Sequence, residues 1–181
     1  LAPDSHSYLN PMDLDLSTDV GESPMLMQAD FLLSQCELMM ASYGNPLMPI
    51  EKSLIDRCIS LVYRDYLKNP RPENMPILGD LYQCLREQHN SRADDLATME
   101  IYVTGSLSYL NHRTNVDLNN RMVCYNISKL GQGLKKLVMS NVQKHIWQRT
   151  AVNRYAGITT RIFLDEFHLL LKEPQTAAYT A

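Results

Sequence analysis

The chain has 181 residues and a mass of 20.7 kDa, which corresponds to about one domain. Hydrophobic residues make up 45% of it and charged residues 20%, and this ordinary globular balance excludes a wholly disordered chain. No apolar run approaches the roughly 18 residues that a membrane-spanning helix needs. The formal net charge of -3 argues against a protein that coats nucleic acid over its whole surface.

The first 24 residues predict an irregular connector, because they contain three prolines and show little periodicity. Residues 8–14 form a turn-prone patch within it, with apolar anchors. The chain begins with Leu1 rather than Met, and residues 175–181 look like a continuing segment. We therefore expect a piece of a longer protein.

Residues 25–118 predict an all-helical subdomain, because apolar residues recur there at helical spacing and Gly or Pro separates several of the segments. The connections are short, which is typical of compact helical packing. The predicted helices begin near Pro24, Pro49, Pro76 and Ser91. Their apolar stripes include Leu32, Cys36, Met39 and Tyr43, then Ile55, Ile59, Val62 and Tyr66, then Ile77, Leu81, Cys84 and Leu85, and finally Leu96, Met99 and Val103.

Residues 119–181 predict part of an α/β core. The apolar run 122–125 fits a buried parallel strand, and the run 159–164 fits a second strand. Between them, residues 134–155 carry a helical stripe, and Gly157 is expected to end that helix. A strand, a helix and a strand in about 45 residues indicate a βαβ unit. The predicted fold class is therefore helix-rich α/β.

The four cysteines are predicted to be small buried hydrophobic residues in a reducing compartment. No pair has the spacing of a metal site, and each lies within an apolar segment. The alternative is a disulfide, which a chain of this length does not need in order to hold a core. The cysteines are Cys36, Cys58, Cys84 and Cys124.

The apolar run Ile162-Phe163-Leu164 ends in two acidic residues, Asp165 and Glu166. Ligands of open α/β sheets bind at the carboxyl ends of strands. In P-loop ATPases an Asp at a strand end holds Mg²⁺, and a neighbouring acid can act on the attacking water. The alternative interpretation is a strand end with two solvated acids.

A phosphate-binding loop of the form G-x-x-x-x-G-K-[ST] is absent from the sequence, because Lys follows none of the seven glycines. Gly131-Gln132-Gly133 precedes Lys135 and Lys136, but its spacing is wrong and no Ser or Thr follows. This segment predicts a turn into the long helix. The 181 residues therefore hold at most half of a nucleotide site.

Residues 129–161 carry seven cationic residues and no acidic residue. Such a basic stretch beside an expected ATP site is a candidate contact for nucleic acid, phosphate or an acidic partner. The alternative is a solvated helix face. The candidate contact residues are Lys135, Lys136, Lys144 and Arg149.

Taken together, the segments of this chain resemble a known family, the cytoplasmic motor ATPases of conjugative transfer and type IV secretion of the VirB/TraC/TrbE class. Several separate segments in the right order make the resemblance specific, and it covers nearly the whole chain. The segments are 10–14 (NPMDL), 51–66, 72–76 (PENMP), 111–115 (NHRTN) and 162–168 (IFLDEFH).

The resemblance implies a RecA-like P-loop ATPase domain with an all-helical insert, working as a motor at the inner face of a membrane channel. By position, Asp165 would be the Mg²⁺ carboxylate, Glu166 the acid acting on water, and His168 would lie just behind them. The cofactor would be Mg-ATP, with the phosphate loop upstream of Leu1. The implied partners are further copies in a hexamer, secretion-channel proteins and DNA, and the implied location is cytoplasmic.

The missing phosphate loop leaves a second function class open. The chain could be a non-catalytic helical interaction module whose last third only supports docking. Asp165 and Glu166 favour the ATPase, whereas the missing loop favours the module. On either reading, we expect the isolated chain not to hydrolyse ATP.

Overall fold

The computed structural model describes residues 6–16, 23–41, 46–88 and 98–165. Within these residues the regular structure is helical, and no β-strand is present. The α-helices are α1 (Pro24–Ala41), α2 (Pro49–Lys68), α3 (Leu78–Arg86), α4 (Glu100–Val103) and α5 (Gln132–Tyr155), with short 3-10 turns at Pro72–Asn74 and Ser108–Leu110.

The first two helices begin where the sequence predicted. At the start of α2, Pro49 occupies the first turn, where its missing N–H costs nothing. The Glu51 carboxylate accepts a hydrogen bond from the Met48 N–H at 2.7 Å and satisfies one of the free donors of that turn. The predicted third helix begins at Leu78. Ser91, the predicted start of the fourth, lies outside the described residues, which contain only the four-residue α4.

The helices pack around one apolar core. Helix α2 contacts α1 on one side and α3 on the other, α3 contacts α4, and α5 packs against α1. Asn111 joins α3 to α4, because its side chain accepts from the Gly79 N–H at 2.7 Å and donates to the Val103 carbonyl at 3.0 Å. A Cβ on Gly79 would lie 3.1 Å from the Asn111 Oδ1, so only glycine permits this approach without a shift.

Helix α5 ends at Tyr155 in a Schellman motif. The Ile158 N–H donates to the Asn153 carbonyl at 2.7 Å, and the Gly157 N–H donates to the Arg154 carbonyl at 3.1 Å. Gly157 has a φ of +69°, the left-handed conformation that this motif requires. The predicted helix end at Gly157 is confirmed.

The two predicted strands are wrong. Residues 122–125 and 159–164 have no regular secondary structure. The first was also expected to be buried, but the Met122 side chain is 81% exposed. A strand forms when a neighbour supplies a hydrogen-bonded ladder, and the described residues provide none. Cys124, within the first of these segments, is likewise exposed rather than buried as predicted.

None of the helices in the residues that the structure describes combines the length and the apolarity of a membrane-spanning segment.

Candidate functional site

The segment 7–14, which we call the strap, passes through the interior of the helical structure. It was predicted as an irregular connector, and it has no helix or strand. It is nevertheless buried, because Leu9, Met12 and Leu14 belong to the apolar core. An irregular segment in a core must find partners for its backbone N–H and C=O groups.

Asn10 supplies the first of these partners from within the strap. Its side-chain oxygen accepts from the Met12 N–H at 3.0 Å, which closes a local turn. Its amide group donates to the Pro76 carbonyl at 2.8 Å and ties the strap to the segment before α3. The Asn10 side chain is fully buried, so both bonds are shielded from water.

Residues of the 111–115 segment bind the strap from one side. The Thr114 hydroxyl accepts from the Asn10 N–H at 2.8 Å and donates to the Asp13 carboxylate. The Asn115 side-chain oxygen accepts from the Tyr8 N–H at 2.8 Å, and the Asn115 N–H donates to the Tyr8 carbonyl at 3.4 Å. The ring of His112 stacks on the ring of Tyr8, with 4.0 Å between centroids.

Arg113 extends the same contact to a third segment. Its guanidinium donates to the Glu73 carbonyl at 2.8 Å and to the Met75 carbonyl at 3.3 Å. Segments 10–14, 72–76 and 111–115 therefore meet in one place, although up to about 100 residues separate them in the chain. These are three of the five segments on which the family resemblance rests.

Helices α1 and α2 bind the strap from another side. Gln28 on α1 donates to the Pro11 carbonyl at 3.0 Å and to the Tyr63 hydroxyl at 2.9 Å. The Tyr63 hydroxyl donates in turn to the Met12 carbonyl, and burial raises its pKa far above the ordinary range. Tyr66, one turn further along α2, donates to the Leu14 carbonyl at 3.2 Å.

Helix α5 completes the enclosure with two polar residues on one face. Asn141 donates to the Leu9 carbonyl at 2.9 Å. The Lys144 ammonium donates to the carbonyls of Pro11 at 3.1 Å and Asp13 at 2.7 Å, and lies 4.6 Å from the centre of the Phe31 ring. Burial lowers the pKa of Lys144 to about 7, and the nearby charge of Asp13 offsets part of this effect.

Asp13 is the acidic member of this buried cluster. Its burial raises the pKa of the carboxyl group, while the Thr114 hydroxyl and the charge of Lys144 act in the opposite direction. The carboxyl also lines a pocket of about 440 Å³ beside the strap. The pocket is lined by Asp13, Tyr66, Pro70, Arg71, Pro72, Met75, Arg113 and Thr114.

This pocket combines two exposed arginines, Arg71 and Arg113, with the half-buried Asp13 carboxyl. Arg71 lies 3.8 Å from the Glu73 carboxylate, and Arg113 is held by backbone carbonyls. Only Arg113 is therefore held by hydrogen bonds, whereas the ion pair of Arg71 is open to solvent. The site can offer both hydrogen-bond donors and an acid.

The predicted catalytic residues are not brought together by the described part of the chain. Asp165 is exposed and follows residues 158–164, which also have no regular structure. Glu166 and His168 lie outside the described residues. No group of three or more His, Cys, Asp or Glu suited to a metal ion occurs within the described ranges.

The predicted basic contact residues do not form one surface either. Lys136 and Arg149 are exposed, Lys135 is half-buried, and Arg149 donates to the Asn119 side chain at 3.2 Å. Lys144 departs from the expectation, because its ammonium is buried against the strap and is not available to a partner. Lys136 and Arg149 are 13 positions apart on α5, or about 20 Å along the helix.

Sequence reasoning missed the strap contacts, although some of their signals are present in the sequence. Asn10-Pro11 is a turn signal, and the apolar residues around it were recognised as anchors. Helix α5 also carries Asn141 and Lys144 three residues apart, which places both on one face. Because these segments lie far apart in the sequence, no local pattern indicates that they bind one another.

Two of three comparisons with known proteins return nothing, since no family profile and no curated protein matches the chain. The third finds a solved structure with a similar fold, VirB4 of Thermoanaerobacter pseudethanolicus, with a TM-score of 0.74. The alignment covers 95% of this chain and 68% of that chain, at 18% sequence identity. The likeness shows a shared VirB4-like fold.

Proposed function

We propose that this chain is part of a VirB4-like ATPase that powers conjugative DNA transfer or type IV secretion. The observation that carries the proposal is the structural likeness to VirB4 over 95% of the chain. The resemblance of five separate segments to the same class of motor, expected from the sequence, is consistent with this fold. Three of those segments form the contact around the strap.

In this proposal the last described residues hold an acidic group for a nucleotide. Asp165 is a single exposed carboxylate after an apolar run, which fits a water-mediated contact to Mg²⁺ but is not a complete site. Bound Mg-ATP would supply the phosphoryl group and the metal charge. Glu166 would orient or deprotonate the attacking water. The phosphate cradle would come from outside the 181 residues.

The described residues have a positioning role in this proposal. The strap holds α5 through Asn141 and Lys144. The Schellman motif after Tyr155 then sets the direction of the chain, and Asn153 donates to the Thr160 hydroxyl at 2.9 Å. The backbone is therefore tied to α5 as far as Thr160, five residues before Asp165, and α5 is tied to the strap.

Partners and location follow from the same proposal. We expect self-association as in the hexamers of the resembled family, contact with secretion-channel proteins, and a place in the cytoplasm at the inner face of the membrane. DNA is a candidate ligand for Lys135, Lys136 and Arg149. A salt-dependent loss of DNA binding on charge reversal at Lys135 and Lys136 would support that contact.

The proposal is tested by phosphate release from three purified proteins: this chain, a form extended upstream to include a G-K-[ST] loop, and the extended form with Glu166→Gln. We expect activity only in the second. The substitution should lower the rate by roughly 10²–10⁴, the usual contribution of a positioned acid or base. Nucleotide binding should survive, because the amide keeps the shape of the side chain. Full turnover by the substituted protein would refute the role of Glu166.

The second candidate function is a helical interaction module. It is favoured by the pocket that Arg71 and Arg113 line and by the absence of a phosphate loop from the sequence. The upstream reading frame distinguishes the two candidates. An in-frame stop codon in place of a Gly-rich loop would favour the module, and so would an extended protein that does not release phosphate.

A further inference from the structure

The pocket of about 440 Å³ beside the strap lies apart from the predicted catalytic residues. Its walls come from the strap, the end of α2, and two further segments, 70–75 and 113–114. Its volume falls within the range of roughly 300–1,000 Å³ that is typical of ligand pockets. Such pockets combine apolar walls with a few polar groups that fix the position of a ligand, and this pocket has both.

The first polar feature of the pocket is its pair of arginines. Arg113 donates through Nε to the Met75 carbonyl and through Nη2 to the Glu73 carbonyl, which leaves further N–H donors for a ligand. Arg71 lies 3.8 Å from the Glu73 carboxylate, a distance longer than a hydrogen bond. Both guanidinium groups can therefore donate to a ligand in the fork geometry that carboxylate and phosphate groups accept.

The acid that lines the pocket is already engaged by the protein. The Asp13 carboxyl accepts from the Thr114 hydroxyl, and the Lys144 ammonium lies 2.7 Å from the Asp13 backbone carbonyl. Burial also raises the pKa of the Asp13 carboxyl, which favours its neutral form. Two arginines therefore accompany one acid whose charge is partly offset, and this balance favours an anionic ligand.

The remaining walls of the pocket are mainly apolar. They are formed by Pro70, Pro72, Met75 and Tyr66, and the Tyr66 hydroxyl already donates to the Leu14 carbonyl at 3.2 Å. An inorganic ion would leave these walls in contact with water. A molecule with an apolar body would cover them and gain the free energy of apolar burial. The walls therefore favour an organic ligand.

We propose that this pocket binds a small organic anion, with a carboxylate or phosphate group on Arg71 and Arg113 and an apolar body against the apolar walls. The inference does not depend on the proposed ATPase function, because the residues that line the pocket lie outside segment 162–168. It can therefore fail or succeed whatever the extended protein does with ATP.

The test is isothermal titration calorimetry of the intact chain at constant pH and ionic strength with four compounds. Phenyl phosphate and benzoate carry a ring and an anionic group, benzyl alcohol is an uncharged counterpart, and inorganic phosphate lacks the ring. We expect one of the two aromatic anions to bind at least about tenfold more tightly than benzyl alcohol or inorganic phosphate, since a hydrogen bond to a charged group is worth about this factor. The tighter of the two identifies the preferred anionic group.

Two results of the titrations would overturn the inference. The first is the absence of saturable binding for both aromatic anions at millimolar concentration. The second is binding of benzyl alcohol or inorganic phosphate as tight as that of the aromatic anions, because the pocket would then not require both an anionic group and an apolar body.

Arg71→Gln should weaken binding of the tighter anion by about 10- to 100-fold, because it removes a charged donor. Arg64→Gln is the matched control. Arg64 is also exposed and lies 3.8 Å from the Asp65 carboxylate, but it does not line the pocket. Arg113→Lys should weaken binding as well, since lysine keeps the charge but loses the fork geometry. Equal weakening by Arg71→Gln and Arg64→Gln would overturn the inference, because the anion would then respond only to overall charge.

NMR of the methionine methyl groups locates the bound ring. Met75 lines the pocket, whereas Met122 does not and is 81% exposed. The ring current of the bound anion should shift the Met75 methyl resonance, which is identified by its loss in Met75→Leu, and should leave the Met122 resonance unchanged. Saturable binding without a shift of the Met75 resonance would place the anion elsewhere and overturn the proposed site.

Discussion

The strap and the segments that flank α5 are both irregular, but they differ in what surrounds them. In the strap, side chains from α1, α2, α5 and the 111–115 segment satisfy backbone groups within the core. In residues 119–131 and 158–165, polar side chains bond mainly to near neighbours, and apolar side chains such as Phe163 face the solvent. In the described residues, the buried irregular segment is therefore the one whose backbone groups are satisfied by side chains from distant parts of the chain.

The same comparison explains why an apolar run did not become a strand. Apolar residues favour burial, but a strand also needs a neighbour for its backbone groups. The strap has side-chain partners that take this role, and the run 159–164 does not have a ladder among the described residues. Four substitutions test the difference between the two regions, beginning with the largest expected effect.

The first substitution is Asn10→Ala in the strap. It removes the bonds to the Met12 N–H and the Pro76 carbonyl and leaves both groups buried without a partner. At about 1–3 kcal/mol for each such group, we expect the free energy of unfolding to fall by about 2–6 kcal/mol. Urea denaturation followed by circular dichroism measures this change.

Asn126→Ala is the matched control, because Asn126 closes a similar local turn on an exposed segment. Its side chain accepts from the Ser128 N–H at 3.0 Å, where water can replace the bond. We expect a change within about 0.5 kcal/mol. Equal losses for the two substitutions would mean that burial does not distinguish the strap from the flanking segments.

The second substitution is Lys144→Met, which keeps the volume but removes the ammonium from the strap carbonyls. At pH 7 we expect a loss of about 1–3 kcal/mol, because the Asp13 carbonyl loses the Lys144 donor, whereas the Pro11 carbonyl keeps its hydrogen bond from Gln28. The difference between the two proteins should also depend on pH. Lys144 has a pKa of about 7 when folded, compared with 10.5 as its ordinary value.

Between these two pKa values the unfolded chain binds one more proton at Lys144 than the folded chain does. The free energy of unfolding of the original protein, relative to Lys144→Met, should therefore rise as the pH increases from 7 to 10, by up to about 1.4 kcal/mol per pH unit. Lys136→Met, on the exposed face of the same helix, is the matched control for removing a lysine from α5. If the difference in the free energy of unfolding between the original protein and Lys144→Met did not change with pH, the burial of Lys144 would be contradicted.

The third substitution is Thr114→Val, which keeps the branched shape and removes the hydroxyl. The hydroxyl links the Asn10 N–H to the Asp13 carboxylate, so its loss leaves two strap groups without this partner. We expect a loss of about 1–2 kcal/mol in the same denaturation experiment. Thr150→Val on α5 is the control, because its hydroxyl only donates to the Ile146 carbonyl within the helix. A larger loss at Thr150 would argue against the strap as the more sensitive region.

Local signals in the sequence predicted much of the helical fold. The starts of α1 and α2 and the end of α5 follow from Pro and Gly chemistry together with apolar spacing, which act within a few residues. The strap could not be predicted in the same way. Its hydrogen-bond partners include Thr114, Asn141 and Lys144, which lie more than 100 residues away, and no local pattern in the sequence links them to the strap.

The candidate catalytic site was predicted from a run of apolar residues ending in Asp165, and that pattern specifies residue types rather than partners. The structure adds that Asp165 is exposed and that the described residues 158–164, which lead to it, form no strand. For the basic residues, counting charges on α5 did not separate the exposed Lys136 from the buried Lys144, because burial depends on what packs against each face.

The last substitution is Phe163→Ser, for which we expect the smallest effect on stability. The Phe163 side chain is 88% exposed, so it contributes little to the core and the free energy of unfolding should change by less than about 0.5 kcal/mol. We expect a larger effect on self-association, because an exposed apolar run without a hydrogen-bonded neighbour can pair with a second copy of the chain. Light scattering at micromolar concentrations should show dimers or larger species for the original chain and fewer for Phe163→Ser. Leu26→Ser serves as control, because Leu26 is also exposed, at 65%, but lies on α1. The prediction would be contradicted if the chain were monomeric at all concentrations. It would also be contradicted if both substitutions weakened association equally, because the exposed run 159–164 would then have no special part in it.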